Sequence, residues 1–359
     1  MKKTIEQQLN DIYDEYKLVS SVTGTTTIEG FKKAIEEGKS GLLIGISEEL
    51  MEKKIVHLVD RIRKRDAKIV LIAGPSSSGK TTFSKRLSMQ LLACGRIPHP
   101  ISLDDYYVDR TRTPKDENGE YDYETIYALD IDYLKQQMQQ LINGERVELP
   151  RYDFQDGKSI RNTGNFLQLG EDDILIVEGI HGLNPLIAPE SDAIYKVFVA
   201  PMTGLQTGEK DGRHTYTPPV DNRLLRRIIR DIKHRNASAQ DTIHRWTSVR
   251  KGEDKWIFPF VEQADRIFNT ALYYELAVIK PQAESALKQV PEDCPEYATA
   301  QRLLTFLAGI PVIPEEHIPH FSLLCEFIGN SVFENQFPKP RKTQTSKNRI
   351  IEPSKSRKN

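Results

Sequence analysis

The sequence predicts an α/β fold in which a parallel sheet is covered by helices on both faces, with helical additions at both ends. Between residues 68 and 281, short apolar runs alternate with longer stretches of helical spacing, which is typical of such a sheet. A glycine-rich segment joins the first apolar run to a helical stretch. Helical patterns also lie before residue 67 and after residue 281. The strands of this fold place binding sites beyond their carboxyl ends.

The expected strands are the apolar runs within the alternating region: Ile69–Ala73, Ile97–Leu103, Ile174–Val177, Ile194–Val199 and Arg266–Asn269. We expect helices over Thr82–Leu92, Leu134–Ile142, Glu284–Gln289 and Tyr297–Leu307. Residues 202–220 hold three glycines and two prolines among polar residues, which predicts a mobile loop.

The region before the first strand reads as mostly helical. Thr27 is expected to cap a helix that stops near Gly38, and Ser47 to cap one from Glu48 to Lys64. The apolar run Leu42–Ile46 between them fits either a strand or part of a helix.

The chain of 359 residues is therefore divided into four regions. We expect a helical accessory region at 1–66, an α/β domain at 67–280, a helical extension at 281–336 and a basic disordered tail at 337–359. The tail carries eight basic residues against the single acidic Glu352. It fits a solvated terminal extension, and a basic arm that touches RNA or an anionic surface is the alternative.

Composition narrows the class of protein. Fifty basic against fifty-one acidic residues give a net charge of −1, which favours no polyanionic partner. The cysteines Cys94, Cys294 and Cys325 are few and widely spaced, so a disulfide framework and a structural zinc site are not expected. No run of about eighteen apolar residues occurs, and the start of the chain lacks an apolar signal region. We expect a cytoplasmic protein without a membrane partner.

The segment Gly74–Thr81 has the pattern G-x-x-x-x-G-K-[ST] between a strand and a helix, the context that a phosphate-binding loop requires. Gly74 and Gly79 permit positive φ angles and close backbone approach, and the helix N-terminus favours anions. A loop that merely caps a helix is the alternative, but the pattern would arise by chance about 0.01 times in this length. The residues expected to bind the nucleotide are Gly74, Ser76, Ser77, Ser78, Gly79, Lys80, Thr81 and Thr82, with the Thr81 hydroxyl on magnesium.

Acidic residues follow two of the expected strands. Asp104 and Asp105 come directly after Leu103, and phosphoryl transfer to an alcohol needs a carboxylate that takes or orients the hydroxyl proton. Asp104 is the candidate base and Asp105 the second choice, whereas an Asx turn is the ordinary structural explanation. Glu178 ends the strand Ile174–Val177 and resembles a Walker B residue that holds magnesium. A solvent-exposed glutamate at a strand end is the alternative there.

The stretch Asp221–Arg235 has helical spacing with an apolar face of Leu225, Ile228, Ile229 and Ile232. Arg223, Arg227 and Arg230 fall three or four apart on another face, as expected for a lid that stabilises charge on a transferring phosphoryl group. A solvated helix with Asp231 paired to Arg227 or Arg235 is the alternative. Trp246, Trp256, Phe258 and Phe260 fit either packing or base stacking, and His181 fits a structural role.

Taken together, these motifs resemble the uridine kinase and phosphoribulokinase family of P-loop kinases. The matching pieces keep the family's order: Gly74–Thr81, Ser102–Tyr107, Leu149–Phe154, Ile176–Ile180 and Asp221–Arg235. The resemblance covers roughly residues 68–280 and is greatest to a long uridine kinase-like subgroup that often carries a threonyl-tRNA synthetase-like region in front, which this sequence lacks. Segments at 114–122 and 250–260 and residues 281–333 also look like that subgroup.

The resemblance implies roles for individual residues. Asp104 matches the catalytic aspartate, Glu178 the magnesium-associated glutamate, and Arg227, Arg230 and Arg235 the lid and phosphate-contacting arginines. On the acceptor side lie Tyr107, Glu124 and Tyr152, the last matching a tyrosine near the nucleoside base. Two positions depart from uridine-cytidine kinases, since Glu124 stands where those enzymes have an aspartate for the ribose hydroxyls, and Gly157 where they have a base-contacting histidine.

The sequence therefore predicts a kinase that uses ATP and Mg²⁺ to phosphorylate a primary hydroxyl of a nucleoside, with uridine or cytidine as the leading acceptor. Lys80, Asp104, Arg227 and Arg230 are the expected catalytic residues, and Thr81, Glu178 and Asp104 the expected metal residues. Another small alcohol, such as a sugar phosphate or vitamin precursor, is the alternative acceptor. A nucleotide-dependent regulator that associates with RNA through the basic tail is the alternative from another class. The sequence leaves open a homo-oligomer and a preference for GTP.

Overall fold

A computed structural model describes residues 3–115, 119, 121–188, 190–211 and 213–333 of the protein. Its strands in chain order are β1 (Ile69–Ala73), β2 (Ile97–Ser102), β3 (Val147–Glu148), β4 (Arg151–Asp153), β5 (Lys158–Ile160), β6 (Phe166–Leu167), β7 (Asp173–Glu178), β8 (Ile194–Ala200), β9 (Gln206–Lys210), β10 (Arg213–Tyr216) and β11 (Arg266–Asn269). Its helices are α1 (Ile5–Thr23), α2 (Ile28–Glu36), α3 (Ser40–Arg65), α4 (Lys80–Ala93), α5 (Ile131–Ile142), α6 (Pro219–Arg235), α7 (Ala239–Trp256), α8 (Glu275–Leu287), α9 (Tyr297–Ala308) and α10 (Cys325–Ile328). Within these described ranges, no helix is both long and apolar enough to cross a bilayer.

The central sheet contains five parallel strands in the order β11-β8-β1-β7-β2. All five predicted strands are confirmed, and the ends of β1, β7 and β2 meet at one edge because Ile72 and Ser102 both pair with Glu178. Pro98 and Pro100 lie in β2, which is an edge strand of this sheet, so the missing N–H groups interrupt no central ladder.

Both faces of the sheet are buried, as the apolar runs predicted. Alternate residues of β1 point to opposite sides, so that Val70 and Ile72 join a core with α3, α4, α6 and α8, whereas Ile69 and Leu71 join one with α5. All five side chains of β1 are fully buried. The chain therefore has the predicted α/β architecture, with the loop after β1 held at the carboxyl edge of a rigid sheet.

The N-terminal region is helical, and the cap predicted at Thr27 is confirmed, since its hydroxyl accepts a hydrogen bond from Gly30 N. The helix start predicted at Ser47 is wrong. Helix α3 begins at Ser40 and runs through the ambiguous segment Leu42–Ile46. Ser47 instead lies buried inside the helix, where its Oγ accepts a hydrogen bond from Tyr273 N at 3.0 Å.

The mobile loop predicted at 202–220 is wrong over most of its length. Strands β9 and β10 form an antiparallel hairpin there, and Pro219 occupies the first turn of α6. The hairpin is joined to the N-terminal region, because Gln206 N donates to Thr26 O at 3.0 Å. Gly204, Gly208 and the two prolines that suggested a loop therefore lie in and around a short ribbon.

Helix α8 continues across residue 280, where the sequence placed a boundary, and the helix predicted at Glu284–Gln289 is its second half. Pro281 lies inside this helix, and the predicted helix Tyr297–Leu307 is confirmed as α9. The chain then returns to the α/β layer, where Leu323, Leu324 and Phe327 are fully buried. The predicted tail at 337–359 lies outside the described residues.

Candidate active site

The loop after β1 has the conformation that its glycine pattern predicts. Gly79 has φ +86°, and Ser77 adopts a left-handed φ of 59° despite its side chain. A Cβ on Gly74 would lie 2.1 Å from Val199 O, so only glycine lets the loop leave the sheet at this point. Lys80 Nζ donates to Gly74 O at 2.9 Å and to Pro75 O at 3.2 Å. The lysine therefore lies over the loop that would surround a phosphate.

The loop carbonyls are fixed by three side chains, of which the sequence had suggested only Arg223, and that one as a lid residue. Arg223 Nη1 donates to Ser76 O at 3.1 Å, Arg226 Nη1 to Ser77 O at 3.5 Å, and Thr270 Oγ1 to Ser78 O at 2.6 Å. We call these three residues the carbonyl clamp. The loop carbonyls point toward α6 and the end of β11. The N–H groups of the same peptides therefore point the other way, where they can bind a ligand.

The arginines of the carbonyl clamp are themselves held by buried carboxylates. Arg223 forms a bidentate pair with Glu253, whose Oε1 also accepts from Ser76 N at 3.0 Å. Arg226 pairs with Glu275, and all four side chains are buried. The sequence had suggested that Arg223 is a lid residue, but its buried pair with Glu253 shows that it is not. The signal available in the sequence was the spacing of Arg223 and Arg226 on α6, but nothing marked Glu253 or Glu275 as their partners.

Two carboxylates and a hydroxyl meet in front of the loop. Thr81 Oγ1 donates to Glu178 Oε1 at 3.1 Å. Burial raises the pKa of Glu178 to about 7, with Lys80 opposing the rise and Asp104 adding to it. Burial likewise raises the pKa of Asp104, opposed by Lys80 and Arg235. Asp104, Glu178 and Lys80 therefore lie close enough for the charge of each to affect the pKa values of the others.

This donor set fits Mg²⁺, which prefers oxygen ligands and keeps several of its waters. Thr81 and Glu178 already contact each other, and Asp104 lies within electrostatic range of Glu178. In the part of the chain that the structure describes, no three His, Cys, Asp or Glu side chains converge on a single point. Thr81, Glu178 and Asp104 could thus hold magnesium only together with water and phosphate oxygens, as is usual for kinases.

The predicted lid arginines lie along the loop side of α6. Arg227 Nη1 donates to Ser76 Oγ at 2.5 Å and its Nε to Asp231 at 3.1 Å. Arg235 also pairs with Asp231, at 3.2 Å, and keeps half of its side chain exposed. Burial, and then Arg235, lowers the pKa of Arg230 to about 10, and among the described residues its Nε has no hydrogen-bond partner. Arg227 and Arg230 thus carry positive charge beside the loop where an anion would be stabilised.

Aromatic rings lie near Asp104. The ring of Tyr107 meets that of Tyr152 edge to face at 5.5 Å between centroids, and Tyr152 meets Phe154 at 5.0 Å. Burial raises the pKa of Tyr107, and the nearby carboxylates of Asp104 and Glu124 add to the rise. Of the three residues predicted for the acceptor side, Tyr107 and Tyr152 therefore form one aromatic wall, and Glu124 lies within electrostatic range of it.

Asp105 has a different task from its neighbour. Its Oδ1 accepts a hydrogen bond from Tyr152 N at 3.3 Å and so joins the turn after β2 to strand β4. Asp104 N donates to Ser102 Oγ at 3.2 Å, so a serine hydroxyl, and not the Asp104 side chain of an Asx turn, closes the turn after β2. The turn and the proposed catalytic role are therefore compatible, because the side-chain carboxylate of Asp104 takes no part in that bond.

Gly157, which departs from the uridine-cytidine kinase pattern, lies against Arg110. A Cβ at Gly157 would be 2.6 Å from Arg110 Nε, and its φ of +67° also disfavours a side chain. Arg110 N donates to Gly157 O at 2.8 Å and its Nη2 to Phe154 O at 2.7 Å. The volume that a histidine would need is thus filled by an arginine from another loop.

The other aromatic residues considered for base stacking are packed elsewhere. Trp246 is buried with the Arg223 guanidinium 5.2 Å from its ring, and Trp256 contacts Tyr127. Burial lowers the pKa of His181 to about 4, and nearby backbone groups of residues 124, 125 and 256 partly oppose this change. Its neutral ring packs behind the segment that carries Glu124.

Glu124 gives the site a measurable pH dependence. Burial raises its pKa to about 7, opposed by Arg227 and reinforced by Glu253. Since an acid with a raised folded pKa is favoured while protonated, its contribution to stability is lost as the pH rises from about 4.5 to about 7. We expect Glu124→Gln to stabilise the protein relative to wild type by about 1–3 kcal/mol more at pH 8 than at pH 5. Urea unfolding of both proteins at the two pH values measures this, and an equal difference at both would contradict it.

A glycine-rich loop with a lysine, a threonine next to a Walker B-like glutamate and arginines over the loop define the class as a P-loop phosphotransfer protein. Residues 69–207 match the model of the Phosphoribulokinase / Uridine kinase family. The uridine kinases of Staphylococcus aureus strains JH9 and Newman are 32% identical to this chain over 201 residues, covering 55% of it and 86% of each relative. A solved structure described as a possible uridine kinase from Bacillus stearothermophilus has a TM-score of 0.37 and 20% identity, and covers 59% of this chain and 100% of that one.

The chain therefore belongs to the phosphoribulokinase/uridine kinase family. It is a small-molecule kinase of that family, as the motifs predicted.

Proposed function

We propose that the protein transfers the γ-phosphoryl group of ATP to a primary hydroxyl of a nucleoside, with uridine or cytidine as the leading acceptor. The observation that carries this proposal is that Asp104, in the turn after β2, lies within electrostatic range of both the phosphate loop and the aromatic wall. Its charge interacts with Lys80 and with Tyr107. A carboxylate in that position can engage a hydroxyl group while the donor phosphate lies on the loop.

On the donor side, the loop amides and the Lys80 ammonium would bind the phosphates. Burial lowers the pKa of Lys80, and the carboxylates of Glu178, Glu326 and Asp104 oppose this change. Arg227 and Arg230 would stabilise negative charge on the transferring group, with Arg235 at the outer end of the helix. Magnesium bound at Thr81 and Glu178, with Asp104 nearby, would neutralise phosphate charge and help to orient the donor.

On the acceptor side, Asp104 would accept the hydroxyl proton or orient the oxygen for in-line attack. Tyr107 and Tyr152 supply an apolar wall suited to a planar base, and Glu124 supplies a carboxyl group between that wall and Arg227. The names of the Staphylococcus aureus relatives support uridine as the acceptor. The site differs from the uridine-cytidine kinase pattern at Gly157, where the Arg110 side chain fills the space that a histidine would need.

The test is ADP release by the purified protein with ATP and Mg²⁺ against a panel of nucleosides and small alcohols. Turnover that requires uridine or cytidine would support the proposal. Turnover only with a sugar phosphate or a vitamin precursor would show that the protein is a kinase with a different acceptor. ATP hydrolysis at a rate that no acceptor changes would reject the phosphotransferase role.

A prediction about Glu124 separates the acceptor side from the donor side. In Glu124→Asp the carboxyl group recedes by about one methylene, so we expect the acceptor KM to rise about tenfold. The KM for ATP should change by less than about twofold, because the charge is kept and, in the part of the chain that the structure describes, no hydrogen bond joins the Glu124 carboxylate to the loop. Steady-state kinetics with each substrate varied in turn measures both constants. A larger change in the KM for ATP would remove Glu124 from the acceptor pocket.

A further inference from the structure

The segment before and within α10 packs directly on the phosphate loop. Leu323 lies so close to Gly79 that a Cβ there would be 2.5 Å from its Cδ2. The Arg226 guanidinium lies 5.0 Å from the ring of Phe327, and Ser322 Oγ is 2.9 Å from Tyr274 Oη. Residues 322–328, which we call the C-terminal plug, therefore pack against Gly79 of the loop and against Arg226 of the carbonyl clamp.

Glu326 of the C-terminal plug reaches the N-terminus of α4. Its Oε2 accepts a hydrogen bond from Thr82 N at 2.9 Å. Thr82 follows Lys80 and Thr81 in the first turn of the helix, where free N–H groups and the helix dipole favour an anion. A carboxylate from a distant part of the chain thus occupies an amide that the sequence assigns to nucleotide binding.

The charge of Glu326 acts on the rest of the donor site as well. Burial lowers the pKa of Lys80, and Glu178 and then Glu326 oppose that change. Glu326 likewise opposes the lowering of the Arg230 pKa that burial causes. The carboxylate therefore lies among the lysine, the arginine and the amide that a phosphate group would contact.

We infer that Glu326 is a donor-site residue whose carboxylate competes with a nucleotide phosphate for the Thr82 amide, so that the C-terminal plug lowers the affinity for the donor. This inference rests on the proposed function, since it concerns the same phosphate loop. The two anions cannot share the amide, because it has one hydrogen to donate and because like charges at this distance repel. Nucleotide binding must accordingly move the Glu326 side chain away from α4.

The test uses equilibrium binding of ADP, tripolyphosphate and adenosine to the full chain by calorimetry, without an acceptor. Glu326→Gln removes the charge with little change of shape, and we expect it to lower the Kd of ADP and of tripolyphosphate about tenfold. The Kd of adenosine should change less than twofold, because adenosine carries no phosphate. Glu316→Gln is the matched control, since it makes the same change on an exposed residue of the same region.

Two results would overturn the inference. An unchanged or higher Kd for ADP in Glu326→Gln would show that the carboxylate does not compete, and an equal gain for adenosine would show a general loosening of the site. Thermal unfolding of the variant near the wild-type temperature establishes that the fold is intact. These binding measurements stand apart from the acceptor panel, so a protein without kinase turnover would reject the proposed function while still deciding the role of Glu326.

Discussion

Replacing Asp104 with asparagine is expected to lower kcat by about 10²–10⁴ while leaving the Kd of ADP within about twofold of the wild-type value. The amide keeps the size of the side chain but cannot accept the hydroxyl proton. Because the Asp104 carboxylate bonds to no loop amide, the donor phosphates should bind as before. Turnover with a saturating acceptor measures the first quantity, and calorimetry with ADP measures the second.

The matched control is Asp105→Asn, the same change one residue along the chain. Asp105 accepts a hydrogen bond from Tyr152 N, and an asparagine oxygen can accept it as well. We expect kcat within about tenfold of wild type and any loss to fall on the acceptor KM. If Asp105→Asn lost turnover and Asp104→Asn kept it, the assignment of the two carboxylates would have to be exchanged.

The second large effect concerns stability, since Arg226→Ala is expected to lower the free energy of unfolding by about 3–5 kcal/mol. The variant leaves the buried Glu275 carboxylate without its guanidinium and removes the donor to Thr270 O at 3.0 Å. A buried charge that loses its partner is far costlier than an exposed one. Chemical denaturation of the wild type and the variant measures the difference.

An exposed pair on α2 provides the comparison. Lys32 and Glu36 lie 3.9 Å apart with more than half of each side chain in solvent, so Lys32→Ala should cost less than about 1 kcal/mol. A loss of that small size in Arg226→Ala would mean that the carbonyl clamp contributes little to folding. The position of Arg226 behind the loop would then have to be explained by binding alone.

The fold was predictable because its signals are local. Strands β1, β7 and β8 at the centre of the sheet contain apolar runs, and the glycines of the loop must lie where φ is positive or the backbone is crowded, as at Gly79 and Gly74. Ser47 misled because serine favours both caps and, through its hydroxyl, tertiary bonds to distant backbone. The hairpin at Gln206–Tyr216 was missed because it is short and polar and lies among glycines.

The site was predictable where a residue follows a strand or a motif, and hidden where its partner is distant in sequence. Their positions made Asp104, Glu178 and Thr81 candidates, and Thr81 contacts Glu178 in the structure. Glu253 and Glu326 were not candidates, because they lie 177 and 244 residues from the amides they bond. Glu253 lies in a charged helix turn and Glu326 among apolar residues, so neither neighbourhood pointed to the loop, and only the packing of α7 and the C-terminal plug brings them there.

The carbonyl clamp has a consequence for the thermodynamics of nucleotide binding. Three consecutive carbonyls are each fixed by a side chain from α6 or the end of β11, so the peptide planes of Ser76, Ser77 and Ser78 are oriented before any ligand arrives. The entropy of ordering the loop is thereby lost once, during folding, and the phosphate does not have to supply it. Donor binding should then show a small entropic penalty, and weakening the clamp would move that penalty from the folding reaction to the binding reaction.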